Sequence, residues 1–127
     1  MRIPTKLKNG LGNDFLVTKG TNSTLRICTQ EYFTNKLSNK LDTIPMSDIA
    51  AHRALRIIFS SASEVEEDNQ GRSLLPKNLR EFAKIEKDIV FIGVKDYIEV
   101  WAKEIYDQYM NEVDLDKAME ELQKHGV

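Results

Sequence analysis

Apolar positions along the chain fall into short bursts with two spacings, alternate residues in some and every third or fourth in others. Met1–Ile3 is short and apolar. Pro4 suits the first position of a helical turn, where its missing N–H costs nothing; Thr5–Lys8 continues the turn and Asn9-Gly10 ends it. Phe15–Thr18 and Thr24–Cys28 read as strands joined by a turn at Lys19–Ser23. Thr29 is a good N-cap for a helix over Gln30–Leu41, with Tyr32, Phe33, Lys36 and Leu37 at helical spacing. After Ile44-Pro45-Met46, Ser47 is positioned to cap a second helix over about Asp48–Phe59, with Ala51, Leu55 and Ile58 on one stripe. Glu64–Glu67 reads as extended, and Asp68-Asn69-Gln70-Gly71 is strong turn chemistry. A short helix near Lys77–Ala83 precedes strands at Ile89–Ile92 and Tyr97–Trp101, turned at Gly93–Asp96. A helix follows from Lys103 to Met110. A final amphipathic helix starts at Asp114, with Leu115, Met119 and Leu122 predicted to face inward, and stops at Gly126.

The same order of elements occurs twice. Ile3-Pro4-x-x-Leu7-Lys8 aligns with Leu75-Pro76-x-x-Leu79-Arg80 at an offset of 72. After one gapped residue, Leu16-Val17 aligns with Ile89-Val90, Gly20 with Gly93, and Leu25-x-Ile27 with Ile98-x-Val100 at an offset of 73. The shared Pro–Leu spacing, glycine and element order make this an internal repeat rather than two unrelated hairpins. Glu64–Arg72, which opens the second copy, has its counterpart upstream of Met1, so the first copy is expected to lack its opening strand and turn.

Composition sets outer bounds. The 127 residues suit one ordinary domain or two small ones sharing a core, and 41% hydrophobic with 30% charged residues is a globular composition. The longest apolar run is about four residues, against the roughly twenty of a membrane-spanning helix. No leader pattern is present, and the lone Cys28 makes no internal disulfide; a reducing cytoplasm is the expected compartment. A formal charge of −2 argues, at face value, against a nucleic-acid binder. That charge is uneven, however: residues 1–40 carry seven bases and two acids, the remaining 87 eleven bases and eighteen acids.

Asp68-x-x-Gly71-Arg72-x-Leu74-Leu75-Pro76-x-x-Leu79-Arg80, then Ile92-Gly93 and Ile98-Glu99-Val100-Trp101, resembles the MraZ family of bacterial regulators over nearly the whole chain. The helix segment Arg53–Phe59 followed by Ser61-Ala62-Ser63-Glu64 resembles it too. Two departures stand out: the first Asp-x-x-x-Arg is missing, and Cys28 stands where Trp101 stands in the second copy. The resemblance implies an α+β fold of two tandem AbrB-like swapped-hairpin pseudo-repeats, of the double-split β-barrel type, with flanking helices. Residues 1–46 would form the first repeat, 47–63 an inter-repeat helix, 64–113 the second repeat and 114–127 a C-terminal helix. It further implies a nucleoid-associated transcriptional regulator. Such a regulator binds direct repeats in the promoter of the division and cell-wall gene cluster as a ring-shaped homo-oligomer. Some relatives are thought to contact an rRNA methyltransferase.

The residues support that chemistry independently. Gly71 can take a positive φ and reverse the chain, while Asp68 can accept backbone N–H groups and hold Arg72 by a charge-assisted pair. An arginine fixed at a turn tip suits phosphates or bidentate contact with guanine. Taken alone, the pentapeptide reads as a plain β-turn with a solvent-facing arginine; with the repeat context the preferred reading is DNA contact. Gly71–Arg80 carries three bases (Arg72, Lys77, Arg80) and no acid, and Arg2, Lys6 and Lys8 occupy the same relative place in the first copy. Any one lysine, taken singly, reads as a solvated surface charge. Arg53 and Arg56, beside His52, read as an oligomer-interface or solvated face sooner than a third basic strip. Trp101, Tyr32/Phe33 and Tyr106/Tyr109 read as packing groups, Cys28 as a small hydrophobe, and Glu64–Asp68 as solvated or paired carboxylates. No nucleophile–base constellation, phosphate-cradling glycine loop or metal-ligand cluster appears, so an enzyme is disfavoured and no cofactor or metal is expected. The expected mechanism is avidity, a ring presenting several weak basic turns to successive repeats of double-stranded promoter DNA. The other reading is a protein-interaction module acting on a partner such as that methyltransferase, with DNA binding weak or lost.

Overall fold

A computed structural model of the chain describes residues 1–12 and 14–127. Its elements run α1 (Thr5–Lys8), β1 (Phe15–Lys19), β2 (Leu25–Thr29), α2 (Gln30–Phe33), α3 (Ile49–Ser61) and β3 (Ser63–Glu64). They continue β4 (Glu66–Glu67), β5 (Ser73–Leu74), α4 (Lys77–Phe82), β6 (Ile89–Val94), β7 (Tyr97–Ala102), α5 (Lys103–Asn111) and α6 (Leu115–Gln123). The fold mixes helices with antiparallel sheet. Five strands form one sheet in the order β3-β1-β2-β7-β6, and β4 pairs with β5 separately.

The centre of the sheet is the seam between the two sequence copies. Leu25 faces Val100, Arg26 faces Glu99 and Ile27 faces Ile98. At the offset of 73, Arg26 and Glu99 are each other's counterparts, and so are Leu25 and Ile98. Equivalent strands therefore meet antiparallel about a local two-fold axis through the Arg26–Glu99 pair. The flanking strands correct the alignment by one residue. Val17 faces Ile27 and Phe91 faces Val100, so β1 matches β6 at an offset of 74. The reason is the pleat: alternate residues point to opposite faces, and Phe15 and Val17 share the inner face with Ile89 and Phe91. Gly20 consequently does not stand where Gly93 stands.

Each copy's short helix begins after a proline in nearly the same conformation. Pro4 has φ −53° and ψ 135°, and Pro76 has φ −55° and ψ 143°. Both stand one residue ahead of the expected first helical position, as N-caps whose carbonyls accept the first helical N–H groups. Leu7 and Lys8 donate to the Pro4 carbonyl, Leu79 and Arg80 to that of Pro76. The two helices then cross over. Leu7 of α1 lies against Gly93 of β6, where a Cβ would come within 2.9 Å of its side chain. Phe82 of α4 lies under the Lys19 ammonium of β1. Leu79 is fully buried among Val17, Leu25, Ile27 and Val100, the centre of the core.

On the other face of the sheet α3 covers β1, and its last residue, Ser61, accepts the Lys19 N–H at 3.0 Å. Asp48, not Ser47, caps α3, accepting from the Ala51 N–H. The helix expected over Gln30–Leu41 is broken. Thr29 caps it as expected, but after Phe33 it widens into a π-turn over Thr34–Ser38, and a separate 3₁₀ turn follows at Leu41–Thr43. Thr34, Asn35, Ser38 and Asn39 are poor helix formers whose side chains compete for the backbone. The C-terminal helix departs furthest from expectation. Asp114 caps α6, but Leu115, Met119 and Leu122 point outward, 70%, 44% and 43% exposed. Periodicity shows that a helix has an apolar side; it does not show that the same chain covers it.

Leu79→Ala is expected to lower stability by about 2–5 kcal/mol, the usual range for truncating a fully buried leucine. Leu7→Ala, at the half-buried equivalent position, should cost less. Urea unfolding of both variants checks this, and equal losses would contradict the described packing.

Candidate nucleic-acid interface

The turn Asp68–Arg72 joins β4 to β5 and is held almost entirely by one carboxylate. Asp68 Oδ1 accepts the backbone N–H groups of Gln70 and Arg72, both at 2.9 Å. Its Oδ2 accepts from Arg72 Nε at 2.7 Å. The backbone closes around it, with the Asp68 N–H donating to Arg72 O at 2.8 Å and the Gly71 N–H donating to Asp68 O at 3.1 Å. Gly71 takes φ +74° in open space, so conformation, not room, calls for glycine there. These contacts, led by the Arg72 backbone N–H, hold the Asp68 carboxyl below its ordinary range.

The geometry leaves Arg72 half free. Its side chain is 53% exposed against 23% for Asp68. Nε is engaged, and the two terminal guanidinium nitrogens have no partner among the described residues. A planar fork is thus aimed by its own base while its tip stays open, the arrangement that bidentate recognition of phosphate or guanine needs.

The other candidate bases divide into three groups. Arg2 reaches the same turn, its guanidinium donating to the Gln70 carbonyl at 2.9 Å, while the Ser73 N–H donates to Met1 O. Arg2 therefore sits beside the second copy's turn. Lys8 pairs with Glu67 on β4, so its charge is compensated within the chain. Lys77 is exposed and lies 3.8 Å from Glu81. Lys6 and Arg80 are exposed and have no ion-pair partner among the described residues. The turn thus gathers Asp68, Gly71, Arg72 and Arg2, with Lys8 close by through Glu67. Lys6 stays on α1, and Lys77 and Arg80 on α4.

The packing groups sit where their chemistry predicts. Trp101 is buried against Tyr106 and Tyr109, with ring centroids at 5.7 and 5.0 Å, and Tyr32 lies against Tyr97. Cys28 is buried and its thiol pKa is pushed up by that burial. Three of the four carboxylates of Glu64–Asp68 go to separate partners, Glu64 to Gln30, Glu67 to Lys8 and Asp68 to Arg72, while Glu66 is exposed. Two groups escaped the sequence reading, the Gln70 carbonyl that seats Arg2 and the Arg26 guanidinium stacked on Tyr97 at 4.5 Å. A backbone acceptor leaves no sequence signal, whereas Arg26 occupies the x of Leu25-x-Ile27, opposite the Glu99 of Ile98-x-Val100 in the repeat, a signal that could have found it.

Because the folded state lowers the Asp68 pKa, its protonated form is disfavoured relative to the unfolded chain. The clamp is therefore complete above the ordinary aspartate value of about 3.9 and is lost as pH falls through the lower folded value. The Arg72 Nε–H resonance should titrate with a midpoint below 3.9; a midpoint at or above it would contradict the clamp.

A family model described as "MraZ protein, putative antitoxin-like" matches residues 58–125. A protein of Clostridium beijerinckii named transcriptional regulator MraZ is 42% identical over 129 residues, covering 98% of this chain and 88% of its own length. Proteins of the same name from Thermoanaerobacter sp. strain X514 and Clostridium botulinum strain Alaska E43 are 42% and 44% identical. They cover 97% and 91% of this chain and 84% and 80% of their own lengths. With a clamped Asp68–Arg72 turn, a two-fold-related pair of hairpins and this similarity along nearly its whole length, the chain belongs to the MraZ family.

Proposed function

We propose that the chain is a transcriptional regulator that binds double-stranded promoter DNA through the Asp68–Arg72 turn. The observation that carries this reading is the Asp68–Arg72 clamp, which orients a half-exposed guanidinium and leaves its tip unpartnered among the described residues. Arg72 supplies the contact that can distinguish a base, and Arg2 approaches from the same turn. Lys6, Lys77 and Arg80 supply sequence-independent phosphate attraction. Lys8 contributes less, because Glu67 already offsets it.

The finer reading follows the family. The crossing of α1 and α4 onto each other's hairpins supports an AbrB-like swapped-hairpin arrangement of the double-split barrel type, in which residues 1–46 and 64–113 are the two repeats. One turn makes few contacts, so useful affinity requires several turns acting together. A homo-oligomeric ring on successive direct repeats provides that by raising the effective concentration of each later contact. The proposed target is the promoter of the division and cell-wall gene cluster. The relatives' shared name supports regulation of transcription, and no residue arrangement described above supports catalysis. The exposed apolar side of α6 favours a protein contact in addition, which keeps a partner such as an rRNA methyltransferase as a second reading.

Arg72→Ala should weaken binding to the DNA upstream of the chain's own coding sequence by roughly 5- to 150-fold, the effect of about 1–3 kcal/mol from one bidentate contact. Its urea midpoint should be unchanged. Lys77→Ala should instead weaken all sequences alike and reduce the salt slope by about 1. Salt-titrated gel shifts check both, and undiminished affinity of Arg72→Ala would overturn the assignment.

A further inference from the structure

The second half of the chain ends in an amphipathic helix that buries none of its own residues. Leu115, Met119 and Leu122 recur at i, i+4 and i+7, so they form one stripe. Tyr109, Met110 and Val113 extend the exposed apolar surface toward α5. The segment is acidic: residues 112–127 hold five acids against Lys117 and Lys124. Asp116 and Glu120 lie one turn apart beside the stripe and have no ion-pair partner among the described residues. An apolar stripe this open, rimmed by charge, marks a contact surface.

The complementary surface lies on the same chain. A cavity of about 250 Å³ opens between α3, the outer face of β1 and β2, and Phe82 of α4. Leu37, Ile57 and Ile58 line it together with Phe82. Among the described residues its charged lining groups are Lys19 and Arg26, with no acid. Arg26 Nε is buried and unpartnered among the described residues, a donor that an incoming carboxylate would satisfy. α3 carries no acid along Ile49–Ser61; its exposed Arg53 stands one turn before the cavity-lining Ile57, which is 49% exposed, whereas Arg56 lines a separate cavity on the other side of the helix with Asp42 and His52. One chain thus presents an apolar acidic ridge and an apolar basic groove.

The groove and the start of the ridge belong to different halves of the sheet. The groove lies over β1 and β2, whereas α5, which leads into α6, packs on β6 and β7. We propose that the groove receives α6 of a second copy of this chain, with Leu115, Met119 and Leu122 on its apolar floor and the flanking acids facing Lys19, Arg26 and Arg53. This rests on the homo-oligomer part of the proposed function and assigns it a surface. Ridge and groove are different patches, so the contact is head-to-tail. Repetition of a head-to-tail contact generates a ring when the rotation closes and a filament when it does not.

Charge exchange tests the pairing. Lys19→Glu/Arg53→Glu makes the groove acidic, and Asp116→Lys/Glu120→Lys makes α6 basic; Arg53, Asp116 and Glu120 are exposed and Lys19 is half-buried, and circular dichroism confirms that the fold persists. By size exclusion with light scattering in the absence of DNA, each double variant alone should fall below the wild-type mass. An equimolar mixture should recover that mass, because every α6 then meets an oppositely charged groove. Wild-type mass in either variant alone, or failure of the mixture to recover it, overturns the proposal. Arg72→Ala should assemble like the wild type whatever its DNA binding, so failure of the assembly surface and failure of the DNA reading are told apart.

Discussion

The pairing of β2 with β7 organises the molecule. It joins strands far apart in the chain, Leu25–Thr29 and Tyr97–Ala102, and makes one sheet from two hairpins. Each hairpin alone would be marginal in water, since two strands bury too little. Joined at the seam they share an inner face of Leu25, Ile27, Ile98 and Val100, all at most 4% exposed. The local two-fold axis through Arg26 and Glu99 then dictates the rest. It carries α1 onto β6 and α4 onto β1, and it brings Met1 alongside Ser73. Arg2 reaches the turn at residues 68–72 because the seam brings the two copies together.

Charge acquires meaning only within that arrangement. A formal charge of −2 looks unfavourable for DNA, yet it averages over surfaces of opposite character. Two acids at the turn are engaged: Asp68 aims Arg72, and Glu67 neutralises Lys8. The unpaired acids Asp116 and Glu120 sit on α6, a helix attached through α5 to the far strands of the sheet. Net charge is a property of composition, whereas recognition depends on which charges share a face.

Much of this was legible in the sequence, and the exceptions share a cause. The hairpins, the Pro–Leu helices and the Asp68 turn all arise from contacts within a few residues, so spacing reveals them. The helix over Gln30–Leu41 failed because a stripe of Tyr32, Phe33 and Leu37 outvoted four poor helix formers in the reading but not in the chain. The match of Gly20 to Gly93 failed because the loops differ, residues 20–24 joining β1 to β2 and Lys95-Asp96 joining β6 to β7. Facing of α6 failed because periodicity is silent on what covers an apolar side. Within the candidate site, the Asp68–Arg72 geometry was readable, while the Arg2–Gln70 contact depends on a long-range backbone acceptor that no local pattern encodes.

The central claim is that Asp68 acts on DNA through Arg72 and not as a surface charge of its own. A double-mutant cycle with Asp68→Asn and Arg72→Ala, read as affinity for the upstream DNA at low salt, tests it most directly. If the carboxylate serves to aim the guanidinium, Asp68→Asn weakens binding in the wild type but has no further effect once Arg72 is alanine. Losses that simply add, or tighter binding on removal of the Asp68 charge, would show that the clamp is not how this turn meets its ligand.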